Sequence, residues 1–257
     1  MTMTRAFSSG SLPPCLLCHK PTTALPHRVL KMPVCPACLV RHGPEEANRS
    51  ERGESDGLPM FSVEFEVRSE VPRASERALI LLASGYLRTY DCTVDDEYKS
   101  PRYRSLAAFE QVLPVLDQLG DLVDPLHCGT HLHIDCPVRD LVGKRRWTLF
   151  GPLMDYLDTH PQETAAFWGR SSGHALVTPS VCYRTLEFRK PCFRSSAQYL
   201  AVVTFCRQVG RYLDDCLNPA SPTPRSRPLE RMSADILALY QQALASRCAR
   251  QEKPLAV

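Results

Sequence analysis

Residues 61–68 read Phe-Ser-Val-Glu-Phe-Glu-Val-Arg, and this stretch decides the fold of the chain. Apolar residues alternate with polar ones along its whole length. Successive side chains of a strand point to opposite faces of the sheet, so the apolar set lies on one face and Glu64 and Glu66 lie on the other. The stretch therefore predicts a strand with one core face and one acidic face.

Two further segments show the same alternation. In residues 131–135, aliphatic side chains alternate with two histidines and an aspartate, and in Tyr183–Arg189 apolar residues alternate with Thr185, Glu187 and Arg189. A single polar face normally indicates solvated sheet. Glu-x-Glu, His-x-His and Glu-x-Arg in one domain instead favour a site for metal or phosphate, although His133 could also be an ordinary half-buried histidine and Arg189 a salt-bridge partner. The polar residues of the second strand are His131, His133 and Asp135.

Other segments alternate between helix and strand signals. Pro161 is predicted to interrupt the long helical segment, because proline lacks a backbone N–H. The predicted helices are Arg73–Leu87, Leu106–Leu119, Val138–Trp168 (interrupted near His160-Pro161), Ser195–Leu217 and 229–250, and the further extended segments are Arg88–Val94 and Glu97–Tyr103.

The composition excludes several classes of protein. The chain has 257 residues, 44% hydrophobic and 23% charged, with a formal net charge of +3. These values are typical of a globular protein and make no strong case for nucleic-acid binding. The longest apolar run, Ala78–Ala83, is too short to span a membrane. The 12 cysteines are too few for a disulfide scaffold of this length and favour a reduced, cytoplasmic location.

The four N-terminal cysteines form two Cys-x2-Cys pairs. Their spacing falls in the range of structural zinc sites, and four thiolates complete a tetrahedral Zn²⁺ shell. The alternatives are two unrelated pairs or redox motifs. Such a module could contact a nucleic acid or a protein, although nothing else in the sequence supports that. The predicted zinc ligands are Cys15, Cys18, Cys35 and Cys38.

Composition also predicts the domain boundaries. A hydrophilic segment follows the cysteine pairs, and a proline-rich segment precedes the last helix. The predicted layout is a zinc-ribbon-like module at 11–42, a linker at 43–57, a main domain at 58–217, a proline-rich linker at 218–228 and a C-terminal helix at 229–250.

The order of the short motifs over about residues 59–217 resembles the amidoligase family, a group of carboxylate–amine ligases with the catalytic fold of glutamine synthetase. The zinc module is not part of that resemblance. The motifs that carry it are Phe61-Ser-Val-Glu-Phe-Glu66, Asp91 with Glu97-Tyr-Lys-Ser-Pro101, Cys128-Gly-Thr-His-Leu-His-Ile-Asp135, the segment from His160-Pro161 to Phe167-Trp-Gly-Arg170, and Thr185-Leu-Glu-Phe-Arg189.

The resemblance implies an α+β fold, in which a curved and mainly antiparallel sheet carries helices on one face and the site on the other. It also implies ATP-dependent joining of a small-molecule or peptide carboxylate to an amine, with Mg²⁺ on the triphosphate. Four glutamates offer enough charge to balance two Mg²⁺ ions. The implied metal ligands are Glu64, Glu66, Glu97 and Glu187, the implied nucleotide-binding residues are Glu97, Arg189 and Arg170, and the implied catalytic residues are Arg189, Glu187, His131 and His133.

Two other functions remain open at this stage. A metal-dependent hydrolase would use His131, His133 and carboxylates around Zn²⁺ and would act without ATP. A non-catalytic protein would use only the zinc module for binding. Lys99, Arg102 and Arg170 could contact nucleotide or substrate, although basic residues in loops are more often solvated, which is the expectation for Lys99 and Arg102.

Overall fold

The computed structural model describes residue 12 and residues 20–23, 51–67, 81, 86–89, 96–116, 129–170, 176–180, 184–192 and 195–251. The four predicted zinc ligands, Asp91 and almost all of the predicted helix Arg73–Leu87 lie outside these residues, so the zinc module stays a prediction. The architecture of the described residues is α+β, with one open sheet and six helices.

The sheet holds eight strands within the described residues, in the order β1-β5-β2-β6-β8-β7, with β4 paired to β2 and β3. All pairs are antiparallel except β1 with β5, so the sheet is mixed. The strands are β1 (Glu51–Arg52), β2 (Phe61–Val67), β3 (Leu87–Thr89), β4 (Asp96–Lys99), β5 (Arg102–Tyr103), β6 (Thr130–Asp135), β7 (Val177–Ser180) and β8 (Thr185–Phe188).

Apart from Arg73–Leu87, which lies almost entirely outside the described residues, the helices follow the predictions closely, with one exception. The predicted helix Leu106–Leu119 is two short helices, because Pro114 cannot donate a backbone hydrogen bond and is tolerated only in the first turn of the second one. The break at His160-Pro161 is confirmed, with Pro161 as the first residue of a new helix. The helices are α1 (Leu106–Glu110), α2 (Leu113–Leu116), α3 (Arg139–Thr159), α4 (Pro161–Trp168), α5 (Ser196–Leu217) and α6 (Leu229–Gln251).

The apolar face of the sheet forms the core, as the alternation predicts. Helix α5 packs on this face, and Gly210 permits the close approach because a Cβ there would lie 2.7 Å from Cγ2 of Ile134. Helix α3 packs beside it, with the ring of Phe150 edge-on to Phe188 of β8. Helix α6 covers α3 and α5, and its Tyr240 contacts Phe205 of α5. Burial of these faces leaves the opposite face of the sheet to the polar side chains.

The last part of the predicted linker is attached to this core. Residues 51–57 include β1, and the fully buried guanidinium of Arg207 donates to Asp56 at 2.8 and 2.5 Å. The prediction of a linker over all of 43–57 is therefore too broad. The proline-rich segment 218–228 is also tied down, since Ser221 and Thr223 donate to Asp215 of α5.

None of the helices that the structure describes combines the length and the apolar character needed to cross a membrane.

Candidate functional site

The register of the strands brings the predicted polar residues together. Glu64 of β2 lies directly opposite His131 of β6 on one side and Lys99 of β4 on the other. His133 of β6 lies opposite Glu187 of β8. Side chains of directly paired residues lie on the same face of the sheet, so one polar surface spans four strands.

Glu64 is the centre of this surface. Its Oε2 lies 3.1 Å from Nδ1 of His131 and 3.0 Å from Nε2 of His133, and its Oε1 lies 2.8 Å from Nζ of Lys99. Burial alone would raise the pKa of Glu64, but the electrostatic interaction with His133 and the hydrogen bonds from both imidazoles hold that pKa well below its usual range. The carboxylate of Glu64 is therefore charged although it is buried.

Glu187 is fixed by three neighbours. Its Oε1 lies 3.2 Å from Nδ1 of His131 and accepts a hydrogen bond of 3.0 Å from Nη1 of Arg189. Its Oε2 accepts from the hydroxyl of Thr178 on β7 at 3.2 Å. Glu187 and Arg189 share a face because they are two positions apart in an extended chain. The Glu-x-Arg pair thus places a carboxylate and a guanidinium side by side at the site.

His131 has an imidazole nitrogen without a partner. Its Nδ1 lies 3.1 Å from Oε2 of Glu64 and 3.2 Å from Oε1 of Glu187. That Nε2 is buried without a hydrogen bond and lies 3.7 Å from Oε1 of Glu66. An imidazole nitrogen and a carboxylate oxygen thus face each other there at a distance too long for a hydrogen bond.

Gly129 makes room for this pair at the start of β6. A Cβ at position 129 would lie 2.1 Å from Oε2 of Glu66 and 3.1 Å from Nε2 of His131. The backbone N–H of Glu66 donates to the carbonyl of Gly129 at 3.0 Å. A side chain at position 129 would therefore displace the Glu66 carboxylate.

The cluster has the donors of a metal site. One ligand atom each from Glu64, His133 and Glu187 lie within 4.8 Å of one another, and all three residues are buried. Carboxylate oxygens with one imidazole suit Mg²⁺ or Mn²⁺ and are also found around Zn²⁺.

Glu97 and Lys99 form the edge of the cluster on β4. Nζ of Lys99 lies 3.1 Å from Oε1 of Glu97 as well as 2.8 Å from Oε1 of Glu64. The Lys99 side chain is only 13% exposed, so the expectation that it is solvated is wrong. In the sequence, Glu97 and Lys99 are two positions apart in a segment that is predicted to be extended. This spacing places both side chains on the same face of a strand.

Ser100 and Pro101 of the Glu97-x-x-Ser-Pro101 motif stabilise the local structure through hydrogen bonds. The backbone N–H of Val63 donates to the hydroxyl of Ser100 at 2.8 Å, and the N–H of Ser100 donates to the carbonyl of Val63 at 2.8 Å. The Ser100 hydroxyl in turn donates to the carbonyl of Pro101 at 2.6 Å. These bonds fix the junction of β4 and β5 against β2, next to Glu64.

A cavity of about 310 Å³ opens beside Glu64 and His133. Arg102 also lines it and is paired with Asp135, so the expectation that Arg102 is solvated is wrong. Arg184 lines it as well and has a backbone φ of 53°, which costs energy in a residue other than glycine. Strained residues often occur at functional sites, and nothing in the sequence pattern pointed to Arg184.

Most of the predicted site residues meet on the polar face. The exception is Arg170, which lies beyond the end of α4, where its guanidinium donates to the carbonyl of Pro191 at 3.2 Å. It is buried near Lys190, whose pKa is lowered by burial and by the positive charge of Arg170, although Asp158 opposes that. The residues brought together are Glu64, Glu66, Glu97, His131, His133, Glu187 and Arg189.

Comparison of the chain with models of protein families finds no match, and comparison with the curated proteins finds no match either.

Proposed function

We propose that the protein is an ATP- and Mg²⁺-dependent carboxylate–amine ligase of the amidoligase type, with a catalytic sheet like that of glutamine synthetase. The observation that carries the proposal is the convergence of Glu-x-Glu, His-x-His and Glu-x-Arg on one face of the sheet, where Glu64 contacts both histidines and His131 contacts Glu187. The helices on the opposite, apolar face agree with the architecture that the resemblance implies.

The proposed reaction has two steps. An oxygen of the substrate carboxylate attacks the γ-phosphorus of ATP, and ADP leaves. The nitrogen of the amine then attacks the acyl carbon and loses a proton, and phosphate leaves with one oxygen from the carboxylate. Both steps involve groups with several negative charges, so catalysis depends on fixed positive charge and on positioning.

The residues of the site suit a divalent cation. Glu64, His133 and Glu187 would hold it, since their ligand atoms are already gathered and Glu64 is anionic. When bound, Mg²⁺ would neutralise negative charge on the phosphates of ATP. Thr185 helps to orient the imidazole of His133 through a contact of 3.0 Å with Nδ1.

Arg189 is the positively charged side chain that would contact the phosphoryl group transferred from ATP. Its guanidinium is fixed by Glu187 at 3.0 Å, yet its side chain is 33% exposed and therefore remains open to a ligand. A planar guanidinium pairs well with phosphate oxygens through two parallel hydrogen bonds. We assign Arg189 to the transferring phosphoryl group.

The cavity beside Glu64 is the proposed place of the acid substrate. Its volume of about 310 Å³ is at the lower end of ligand pockets, which favours a small acid. Within the part of the chain that the structure describes, the guanidinium of Arg184 has no ion-pair partner, whereas Arg102 is paired with Asp135. Arg184 is therefore the cation that a substrate carboxylate would meet in this cavity.

A metal-dependent hydrolase is the second candidate, because the Glu64, His133 and Glu187 donors also suit Zn²⁺. Such an enzyme would act without ATP. The pairing of Arg189 with Glu187 favours the ligase, since a guanidinium beside a metal ligand suits phosphate. A protein that binds partners only through its N-terminal module would be unaffected by changes to Glu64.

The test is release of ADP by the purified full chain with Mg²⁺, ATP and a panel of amino acids and amines. We expect one acid–amine pair to raise ADP release, and Glu187→Gln to abolish that increase. Glu110→Gln is the matched control, because Glu110 is an exposed glutamate on α1. Absence of ATP binding by the wild type at saturating Mg²⁺ would rule out the ligase, and turnover of a substrate without ATP would favour the hydrolase.

A further inference from the structure

The ammonium group of Lys99 lies between two carboxylates of the cluster. Its Nζ is 2.8 Å from Oε1 of Glu64 and 3.1 Å from Oε1 of Glu97. The antiparallel register of β2 and β4 produces this arrangement, since Lys99 is directly opposite Glu64 and follows Glu97 by two positions on the same face. Lys99 therefore bridges β2 and β4 at the polar surface.

All three groups are shielded from water. The side chains are 13% exposed for Lys99, 5% for Glu64 and 7% for Glu97. Two carboxylates this close repel each other strongly where solvent is scarce, and a cation between them removes that repulsion. A divalent ion that bridges the same two carboxylates would need the space that Nζ occupies.

The charge of the cluster points to the same conclusion. Its carboxylates are Glu64, Glu66, Glu97 and Glu187. Lys99 and Arg189 are the permanent cations within ion-pair distance of them among the described residues. The positive charge of Lys99 therefore already offsets part of the negative charge that a second divalent ion would otherwise offset.

We propose that Lys99 takes the place of a second divalent cation, so that the protein without nucleotide binds one such ion, at Glu64, His133 and Glu187. This inference rests on the proposed metal-dependent function and specifies its metal content.

The test is a titration of the full chain with Mn²⁺, followed by electron paramagnetic resonance without nucleotide. Mn²⁺ replaces Mg²⁺ at oxygen-rich sites, and thiolates prefer softer metals, so the N-terminal cysteines contribute little. We expect one Mn²⁺ per wild-type chain and two per chain for Lys99→Met, because methionine keeps the length of the side chain and removes its charge. Lys99→Arg keeps the charge and is expected to bind one ion.

The matched control is Lys144→Met, since Lys144 is exposed on α3 away from the cluster, and one ion is expected. Two ions or none on the wild type would overturn the proposal, and this holds even if Lys99→Met does not fold. One ion on a folded Lys99→Met would overturn it as well. ADP release is measured separately, so a wrong metal content and a wrong assignment as a ligase are told apart.

Discussion

Oε2 of Glu64 lies 3.0 Å from Nε2 of His133, although the two residues are 69 positions apart in the sequence. The antiparallel pairing of β2 and β6 joins them, and the hydroxyl of Thr185 on β8 contacts the other nitrogen of the His133 ring at 3.0 Å. Three strands thus fix the geometry of one carboxylate and one imidazole before any ligand binds. A site built on strands in this way is preorganised, which is what catalysis through fixed charges requires.

Removal of a proposed metal ligand should weaken metal binding without unfolding the sheet. We expect Glu64→Gln to lower the affinity for Mn²⁺ by about 100-fold or more, since changes even to residues behind the ligands cost roughly 10–100-fold. Isothermal titration calorimetry measures the affinity, and circular dichroism checks the fold. Glu110→Gln should bind Mn²⁺ like the wild type. Equal affinity of Glu64→Gln and wild type would show that the metal, if any, binds elsewhere.

The space at Gly129 should be needed for the position of Glu66. A Cβ there would lie 2.1 Å from Oε2 of Glu66, so Gly129→Ala should displace that carboxylate. We expect ATP turnover to fall by about tenfold or more, since misplacement of a charged group by 1 Å costs up to about 100-fold. Steady-state kinetics provide the measurement.

Gly151→Ala is the control for this change. No atom lies within 4 Å of a Cβ at position 151 on α3, so turnover should be unchanged, and the helix should gain about 0.5–1 kcal/mol. Equal ATP turnover of Gly129→Ala and Gly151→Ala would show that the space beside Glu66 at position 129 is not needed for activity.

Arg184 should bind the acid substrate without taking part in the chemistry. We expect Arg184→Ala to raise the KM for the acid by about tenfold and to leave kcat almost unchanged, because the lost ion pair acts equally in the bound state and the transition state. Arg145→Ala, at an exposed position of α3, should change neither constant. A loss of kcat at constant KM would place Arg184 at the reacting atoms instead.

The ion pair of Asp56 with Arg207 should make the free energy of unfolding depend on pH in the acidic range. The hydrogen bond from the buried Arg207 guanidinium lowers the pKa of Asp56 from its ordinary value of 3.8 to about 2. Because the pKa is lower in the folded state, the charged carboxylate of Asp56 stabilises the fold fully at pH values above 3.8. This stabilisation is lost as the pH falls from 3.8 through about 2. We expect Asp56→Asn to cost about 1–3 kcal/mol at neutral pH, where the hydrogen bonds to a charged group are lost.

Urea denaturation at several pH values measures this effect. The difference in the free energy of unfolding between wild type and Asp56→Asn should shrink as the pH falls below 3.8. Asp140→Asn serves as the control, because the Asp140 side chain is 72% exposed, and it should show no such dependence. A difference that is constant with pH would mean that Asp56 acts through packing and not through its charge.

The sequence predicts the polar face well, because the alternation of apolar and polar residues along 61–68, 131–135 and 183–189 fixes which side chains share a face. It does not predict the contact of Lys99 with Glu64, since that depends on how β2 and β4 are aligned, which periodicity leaves open. The prediction that Arg170 belongs to the site came from its order in the chain, and the structure places it near Pro191.

Two strands escape sequence-based prediction for physical reasons. Strand β1 has only two residues, Glu51 and Arg52, both of them charged and exposed. Strand β7 contains Pro179, which usually argues against a strand. Both lie at the ends of the strand order, where unpaired backbone groups face outward and proline or charge is tolerated.

The most direct test of the central claim is transfer of oxygen from the substrate to phosphate. The acid that raises ADP release is labelled with ¹⁸O in its carboxylate, and the released phosphate is examined by mass spectrometry after turnover with the amine, ATP and Mg²⁺. A ligase that forms an acyl phosphate is predicted to deliver one ¹⁸O atom into each phosphate, in an amount equal to the amide formed. Phosphate without ¹⁸O, or an amide formed without ADP, would contradict the account.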